Sequence, residues 1–154
     1  MLELKERSQP AMEKRPIETI ELEMSILSRR LTSMSTYKKL GMLDFSAYLL
    51  LRQIATHGSA GVKALSEEFR LDISTISRQA STLEQKGYLF REPDPQDGRA
   101  YTLQISELGL NMLKQNMDIR QDKVGKMLED WSEEERENFG QLLQKLNDAI
   151  FREM

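Results

Sequence analysis

Residues 71–99 read Leu-Asp-Ile-Ser-Thr-Ile-Ser-Arg-Gln-Ala-Ser-Thr-Leu-Glu-Gln-Lys-Gly-Tyr-Leu-Phe-Arg-Glu-Pro-Asp-Pro-Gln-Asp-Gly-Arg, and two periodicities meet inside them. Ile73, Ile76, Ala80 and Leu83 recur at steps of three, four and three, which puts them on the inner face of one helix. Asp72 stands where an N-cap belongs, and Gly87 stands where a left-handed residue closes a helix. Beyond Gly87 the pattern changes. Tyr88-Leu89-Phe90-Arg91 reads as a short strand, and Ala100 to Ile105 as a second, with Tyr101, Leu103 and Ile105 alternating on one face. Asp94 to Arg99 lies between them, rich in the Asp, Pro and Gly of a hairpin tip.

Upstream, Val62, Leu65 and Phe69 form the inner face of a short helix, which Arg70-Leu71-Asp72 joins to the next. Helix, turn, helix and arginine-tipped hairpin make a winged helix-turn-helix from about Gly61 to about Ser106. The outer face of its second helix is Ser74, Thr75, Ser77, Arg78, Gln79 and Ser81. Short hydroxyl side chains let a helix approach base edges and phosphates closely, and an arginine can grip guanine with a bidentate fork. These six are therefore the candidate DNA-reading residues, with Asp97, Gly98 and Arg99 at the hairpin tip, from which Arg99 reaches a minor groove. Lys63 and Arg91 are candidates for phosphate or ligand contact, or plain surface charges.

The run from Leu71 to Arg78, the segment Leu83-Glu84-Gln85-Lys86-Gly87-Tyr88-Leu89, Arg91, and the wing Asp94-Pro95-Gln96-Asp97-Gly98-Arg99 together resemble the multiple-antibiotic-resistance regulator (MarR) family. The resemblance is strongest over residues 62–109 and extends through helix order to nearly the whole chain. It departs at Gly98, where a second basic residue is common, and at Ile105-Ser106, which replaces Leu-Thr. Ser106 can still cap the following helix. The resemblance implies a bacterial transcriptional regulator, a homodimeric repressor on pseudo-palindromic operator DNA that a small, often aromatic ligand releases. It implies that Asp97 holds the wing arginine by an ion pair. It also brings the first and last helices together at a dimer end, with Ile17, Ile20, Met24, Leu142, Leu146 and Ile150 as candidate interface residues. The effector pocket is expected beside the second helix, near Tyr48 and His57, and against the long helix after Ser106. Two-fold symmetry has its own physical motive, because one recognition helix reads only a few base pairs.

Outside this lobe, Ile17, Ile20, Met24, Leu27, Leu31 and Met34 form one helical stripe that Gly41 ends. A second helix runs from a cap at Asp44 through Phe45, Tyr48, Leu49, Leu51 and Ile54 to Gly58. From Ser106 to about Asp130, Leu110, Leu113, Met117, Val124 and Met127 are spaced as a stripe. Then Ser132 to Glu135 has the capping-box pattern and opens a last helix carrying Phe139, Leu142, Leu143, Leu146 and Ile150. The expected fold is mainly α (α+β). A mixed-charge arm covers residues 1–16, and a single regulator domain covers 17–154. Within it, 44–106 form the winged lobe and 17–40 and 107–154 the dimerisation helices.

Composition narrows the function further. The 154 residues contain no cysteine and one histidine, which argues against a disulfide framework, a thiol switch or a zinc site. His57 reads as a buried or cap-bonded side chain. No apolar run approaches the roughly 18 residues of a membrane helix, and the charged start lacks a secretion signal, so a cytoplasmic protein is expected. No phosphate loop, His-Glu-x-x-His or Gly-x-Ser-x-Gly sequence occurs, so neither an enzyme nor a cofactor is expected. Net charge is −3, unusual for a DNA binder, but it divides as +2 over residues 1–40, −1 over 41–106 and −4 over 107–154. Acidity thus collects away from the reading lobe. The alternative is a winged-helix module that joins proteins without binding DNA, against which the polar Ser, Thr, Gln and Arg face weighs.

Overall fold

The computed structural model describes residues 11–34 and 42–154, with side chains from residue 14 onward. It divides into two compact units, residues 1–44 and 45–154. In the first, α1 spans Ala11–Ser33. The expected arm ended at residue 16, yet the helix already includes residues 11–16. Pro16 stands inside the helix, past its first turn, where it has no N–H to give the helical ladder. The hydroxyls of Thr19, Ser25, Thr32 and Ser33 turn back to carbonyls four residues earlier, and Ile17, Ile20 and Met24 are exposed. Residues 1–10 and the expected helix stop at Gly41 lie outside the described residues.

The second unit runs α2 (Phe45–His57), β1 (Ala60–Gly61), α3 (Val62–Phe69), α4 (Ile73–Gln85), β2 (Leu89–Pro93), β3 (Tyr101–Ile105), α5 (Glu107–Met127) and α6 (Glu133–Glu153). Its core joins Leu50, Leu51 and Ile54 of α2, Leu65 of α3, Ile76, Ala80 and Leu83 of α4, Leu89 and Leu103 of the sheet and Leu113 of α5. Each full-size aliphatic buried there contributes about 1.5–3 kcal/mol of transfer free energy. The expected inner face of α4 is corrected at one residue: Ile73 is 53% exposed. As the first helical residue it stands at the rim, where a cleft replaces core.

The sheet is antiparallel with order β1-β3-β2, Gly61 opposite Thr102 and Arg91 opposite Leu103. β1 is an addition to the expected hairpin; two residues, Ala and Gly, carry no periodicity from which to read a strand. α4 closes as expected. Gly87, at φ +79°, donates its N–H to the Glu84 carbonyl, and the Tyr88 N–H bonds the Leu83 carbonyl. α3 closes by the same pair of bonds, but with Arg70 in the left-handed conformation at φ +50°, which costs about 1–2 kcal/mol relative to glycine.

Ser106 joins three elements. Its hydroxyl accepts the Gly109 N–H at the start of α5 and donates to the Gly87 carbonyl, while its own N–H bonds the Tyr88 carbonyl. Packing is so close here that a Cβ at Gly109 would sit 2.2 Å from the Tyr88 carbonyl oxygen. At the far corner, Ser132 and Glu135 form the reciprocal capping box, and Arg136 donates to the Leu128 and Glu129 carbonyls at the end of α5. Hydrogen bonding from Ser132, its backbone N–H first, holds the Glu135 carboxyl below its ordinary value. Trp131 meets Phe139 edge to face at 5.2 Å. Beyond that corner α6 buries none of its residues. Among the described residues, no helix is long and apolar enough to cross a membrane.

Candidate nucleic-acid interface

With Ile76, Ala80 and Leu83 locked into the core, helical geometry turns the opposite side of α4 outward. Ser74 and Arg78 are exposed, and Thr75, Ser77, Gln79 and Ser81 are half-buried along its flanks. Asp72 occupies the N-cap position, but its side chain makes no capping bond; its carbonyl takes the Thr75 and Ile76 N–H groups instead.

The wing is held by its own backbone. Asp94 and Ala100 close the hairpin through an N–H to carbonyl bond of 3.0 Å, and the Ala100 N–H reaches the Asp97 carbonyl at 3.0 Å. Two aspartates brace the tip: Asp94 Oδ1 accepts the Gln96 N–H at 2.9 Å and Asp97 Oδ1 the Arg99 N–H at 3.0 Å. The expected Asp97–Arg99 ion pair is therefore corrected. Asp97 bonds the backbone two residues on, the local turn its short side chain favours, and the Arg99 side chain stays exposed. Gly98 needs no glycine conformation, since the positive-φ glycines among the described residues are Gly58 and Gly87. A Cβ at Gly98 would meet nothing within 4 Å.

Between α3, α4 and the wing opens a cleft of about 650 Å³. Lys63, Ser77 and Arg99 line it from three different elements, beside Val62, Ile73 and Tyr101. Glu67 and Asp94 also border it, so its charge is mixed.

Arg91 is engaged inward. Its Nε donates to Glu84 Oε2 at 2.6 Å, its Nη2 to the Ser81 hydroxyl at 3.3 Å, and its guanidinium lies 4.5 Å from the Tyr101 ring centroid. The Glu84 hydrogen bond is the main reason its pKa is raised. Sequence reasoning marked Arg91 and Ser81 but missed Glu84 and Tyr101. The signal was there: Glu84 and Arg91 flank the Gly87 turn, and Tyr101 is a diagonal neighbour of Arg91 across the hairpin.

The residues expected to border an effector pocket are not brought together. Tyr48 is buried; its hydroxyl accepts from Arg52 at 3.2 Å, and Arg120 of α5 stacks 4.2 Å from its ring centroid. His57, expected buried or cap-bonded, is exposed and lies 3.7 Å from Glu68 of α3. Nine helical steps separate the two, about 13 Å of rise. Of the expected interface residues on α6, Leu142 and Ile150 are exposed and Leu146 is half-buried.

Comparison with known proteins agrees with this geometry. The family model for the MarR family matches residues 45–101. An uncharacterized HTH-type transcriptional regulator of Bacillus subtilis, YxaD, is 45% identical over 136 residues, covering 88% of this chain and 95% of that protein. A MarR family protein from Bacillus stearothermophilus superposes with a TM-score of 0.73 at 20% identity, over 90% of this chain and 97% of that one. The PcaV transcriptional regulator from Streptomyces coelicolor, solved in complex with its natural ligand, gives 0.65 at 24% identity, over 80% and 91%.

Proposed function

Because the chain belongs to the MarR family of HTH-type transcriptional regulators, we propose that it is a homodimeric repressor that reads a pseudo-palindromic operator in double-stranded DNA. The members it resembles are regulators, not enzymes. α4 enters the major groove with Ser74, Thr75, Ser77, Arg78 and Gln79, and the wing carries Arg99 toward the flanking minor groove. One observation carries this reading: Lys63, Ser77 and Arg99, from α3, α4 and the wing, edge a single open cleft beside the exposed Ser74 and Arg78. Two cations and a hydroxyl on three elements offer contacts along a phosphate strand, while Glu67 and Asp94 on the same rim limit where it can lie.

The homodimer is supported by apolar residues of α6 that remain exposed, Leu142 at 63% among them. Two heads held about one DNA turn apart, roughly 34 Å, multiply the specificity of a small reading face. A small aromatic effector that favours one head spacing over another would release the operator by shifting populations. Such a repressor works in the cytoplasm, where its operator is.

Selection of bound sequences from random DNA tests the reading. The wild-type chain should select a two-fold-related site. Arg78→Ala should lose about 1–3 kcal/mol and relax one position per half-site. Arg99→Ala should weaken preference at the flanks. Failure to enrich any sequence at low salt would sink the operator reading, and enrichment of single half-sites would sink the dimer. A thermal-shift panel of aromatic acids, read beside loss of DNA binding, tests the effector; no response from any compound would remove it.

A further inference from the structure

We propose that Arg91 is a positioning residue: it clamps the wing to the recognition helix and sets where Arg99 falls relative to Arg78, without touching DNA itself. The clamp spans three elements. Arg91 belongs to β2, Glu84 and Ser81 belong to α4, and Tyr101 begins β3. Chain continuity between α4 and β2 passes through Gly87 in the left-handed region, a residue with the widest backbone freedom available. Backbone bonds and Ser106 pin the joint itself, and a side-chain tie further out fixes how the wing strand lies against α4. The Glu84–Arg91 bond at 2.6 Å supplies it, and the planar guanidinium is fixed further by the Ser81 hydroxyl and the Tyr101 ring.

The same bonds argue against Arg91 as a phosphate contact. Its Nε and Nη2 are occupied, one face is covered by an aromatic ring, and the charge is offset by a carboxylate in direct contact. A phosphate approaching Arg91 would also approach Glu84. Arg99 and Lys63 have no such partner among the ion pairs of the described residues. An arginine keeps its charge at every working pH, so the clamp is a fixed strut on the arginine side.

Glu84→Gln separates the two roles, since removing an acid near DNA should, on charge alone, tighten binding. As a clamp partner, Glu84 should do the opposite: Glu84→Gln and Arg91→Ala should each weaken binding by about three- to tenfold. Both should flatten selection at the flanking bases and leave the core half-site preference intact. Both should also leave the slope of log affinity against log salt unchanged. Arg91→Lys, which keeps the charge but loses the planar fork, should behave as Arg91→Ala does. A slope that falls by about 0.9 in Arg91→Ala, with Glu84→Gln neutral or tighter, would make Arg91 a phosphate contact and overturn the proposal.

The inference takes its functional meaning from the DNA-binding reading, but the clamp can be measured without DNA. The chain has no cysteine, so Ser74→Cys with Gly98→Cys gives two spin labels, one on α4 and one on the wing, diluted with unlabelled chain. The distance distribution should be narrow, and Glu84→Gln should broaden it. An unchanged distribution overturns the clamp even where DNA binding is intact. A broadened one in a protein that binds no DNA leaves the clamp standing and removes the operator instead.

Discussion

The reading lobe and α6 carry apolar residues at the same helical spacing and meet opposite fates. In the lobe, Leu50, Leu51, Ile54, Leu65 and Ile76 are almost wholly removed from water. On α6, Phe139, Leu142, Leu143 and Ile150 repeat at similar intervals, yet the helix buries no residue. The lobe closes its core within one chain because α2, α3, α4, the sheet and α5 meet from different directions. α6 is joined to that core through the α5 corner, whose caps fix where the helix starts, and near its far end by Arg70 of the α3 cap, 4.3 Å from the Phe151 ring centroid, and neither covers its stripe. Periodicity says which face is apolar, not what covers it.

The sharpest way to break this comparison is to truncate both regions. Leu51→Ala should destabilise the chain by about 2–5 kcal/mol, the transfer loss plus the cavity that a rigid core leaves behind. Leu142→Ala should shift intrinsic stability by less than about 0.5 kcal/mol, the range for a surface position. Chemical denaturation of both variants at low protein concentration checks the pair. Leu142→Glu should then lower the dimer fraction in sedimentation at a concentration where Leu51→Ala, while folded, does not. Equal destabilisation by the two alanines would mean that α6 is core after all.

Two glycines sharpen the contrast on a smaller scale. Gly109 lies where α5 enters the lobe, and a methyl group there would meet the Tyr88 backbone at 2.2 Å, which no rotamer change can relieve. Gly109→Ala should cost about 1–3 kcal/mol as overpacking, visible as a lower melting temperature. Gly98 lies at the open wing tip, so Gly98→Arg should leave stability unchanged. It should also tighten operator binding and steepen the salt slope by about 0.9 for one added phosphate contact. A lower melting temperature for Gly98→Arg would show the wing to be more constrained than its open surroundings imply.

The same contrast marks what could be read from sequence. The winged lobe was legible because local signals agreed there: Gly87 as a left-handed stop, alternation in Tyr101, Leu103 and Ile105, and Asp and Pro in the tip. Ile73 was misread because periodicity assigns a face without knowing where the core ends, and a first-turn residue overhangs it. The Asp97–Arg99 pair was misread because an aspartate two residues from an N–H bonds the backbone at little entropic cost, and that local turn, not an ion pair, is what Asp97 forms. Tyr48 and His57 share a helix, but one is covered by Arg120 and the other lies at its exposed end. The Glu84–Arg91–Tyr101 cluster needed the turn at Gly87 before it could be seen.

The smallest effect belongs to the self-contained corner of α6. The Glu135 carboxylate accepts the Ser132 N–H at 3.1 Å, and the Ser132 hydroxyl accepts the Glu135 N–H. Hydrogen bonding to Ser132 lowers the Glu135 pKa below its ordinary 4.5. A depressed carboxyl contributes stability that is complete above the unfolded value and is lost as pH falls through the folded one. Glu135→Gln keeps an acceptor but no charge, so the other carboxylates cancel when the two proteins are compared at each pH. The melting temperature of the wild-type chain should exceed that of the variant by a constant margin above pH 4.5, and the margin should close as the pH falls further. A margin that persists unchanged at pH 2 would assign the corner to the geometry of the box rather than to its charge, and α6 would then be capped independently of pH.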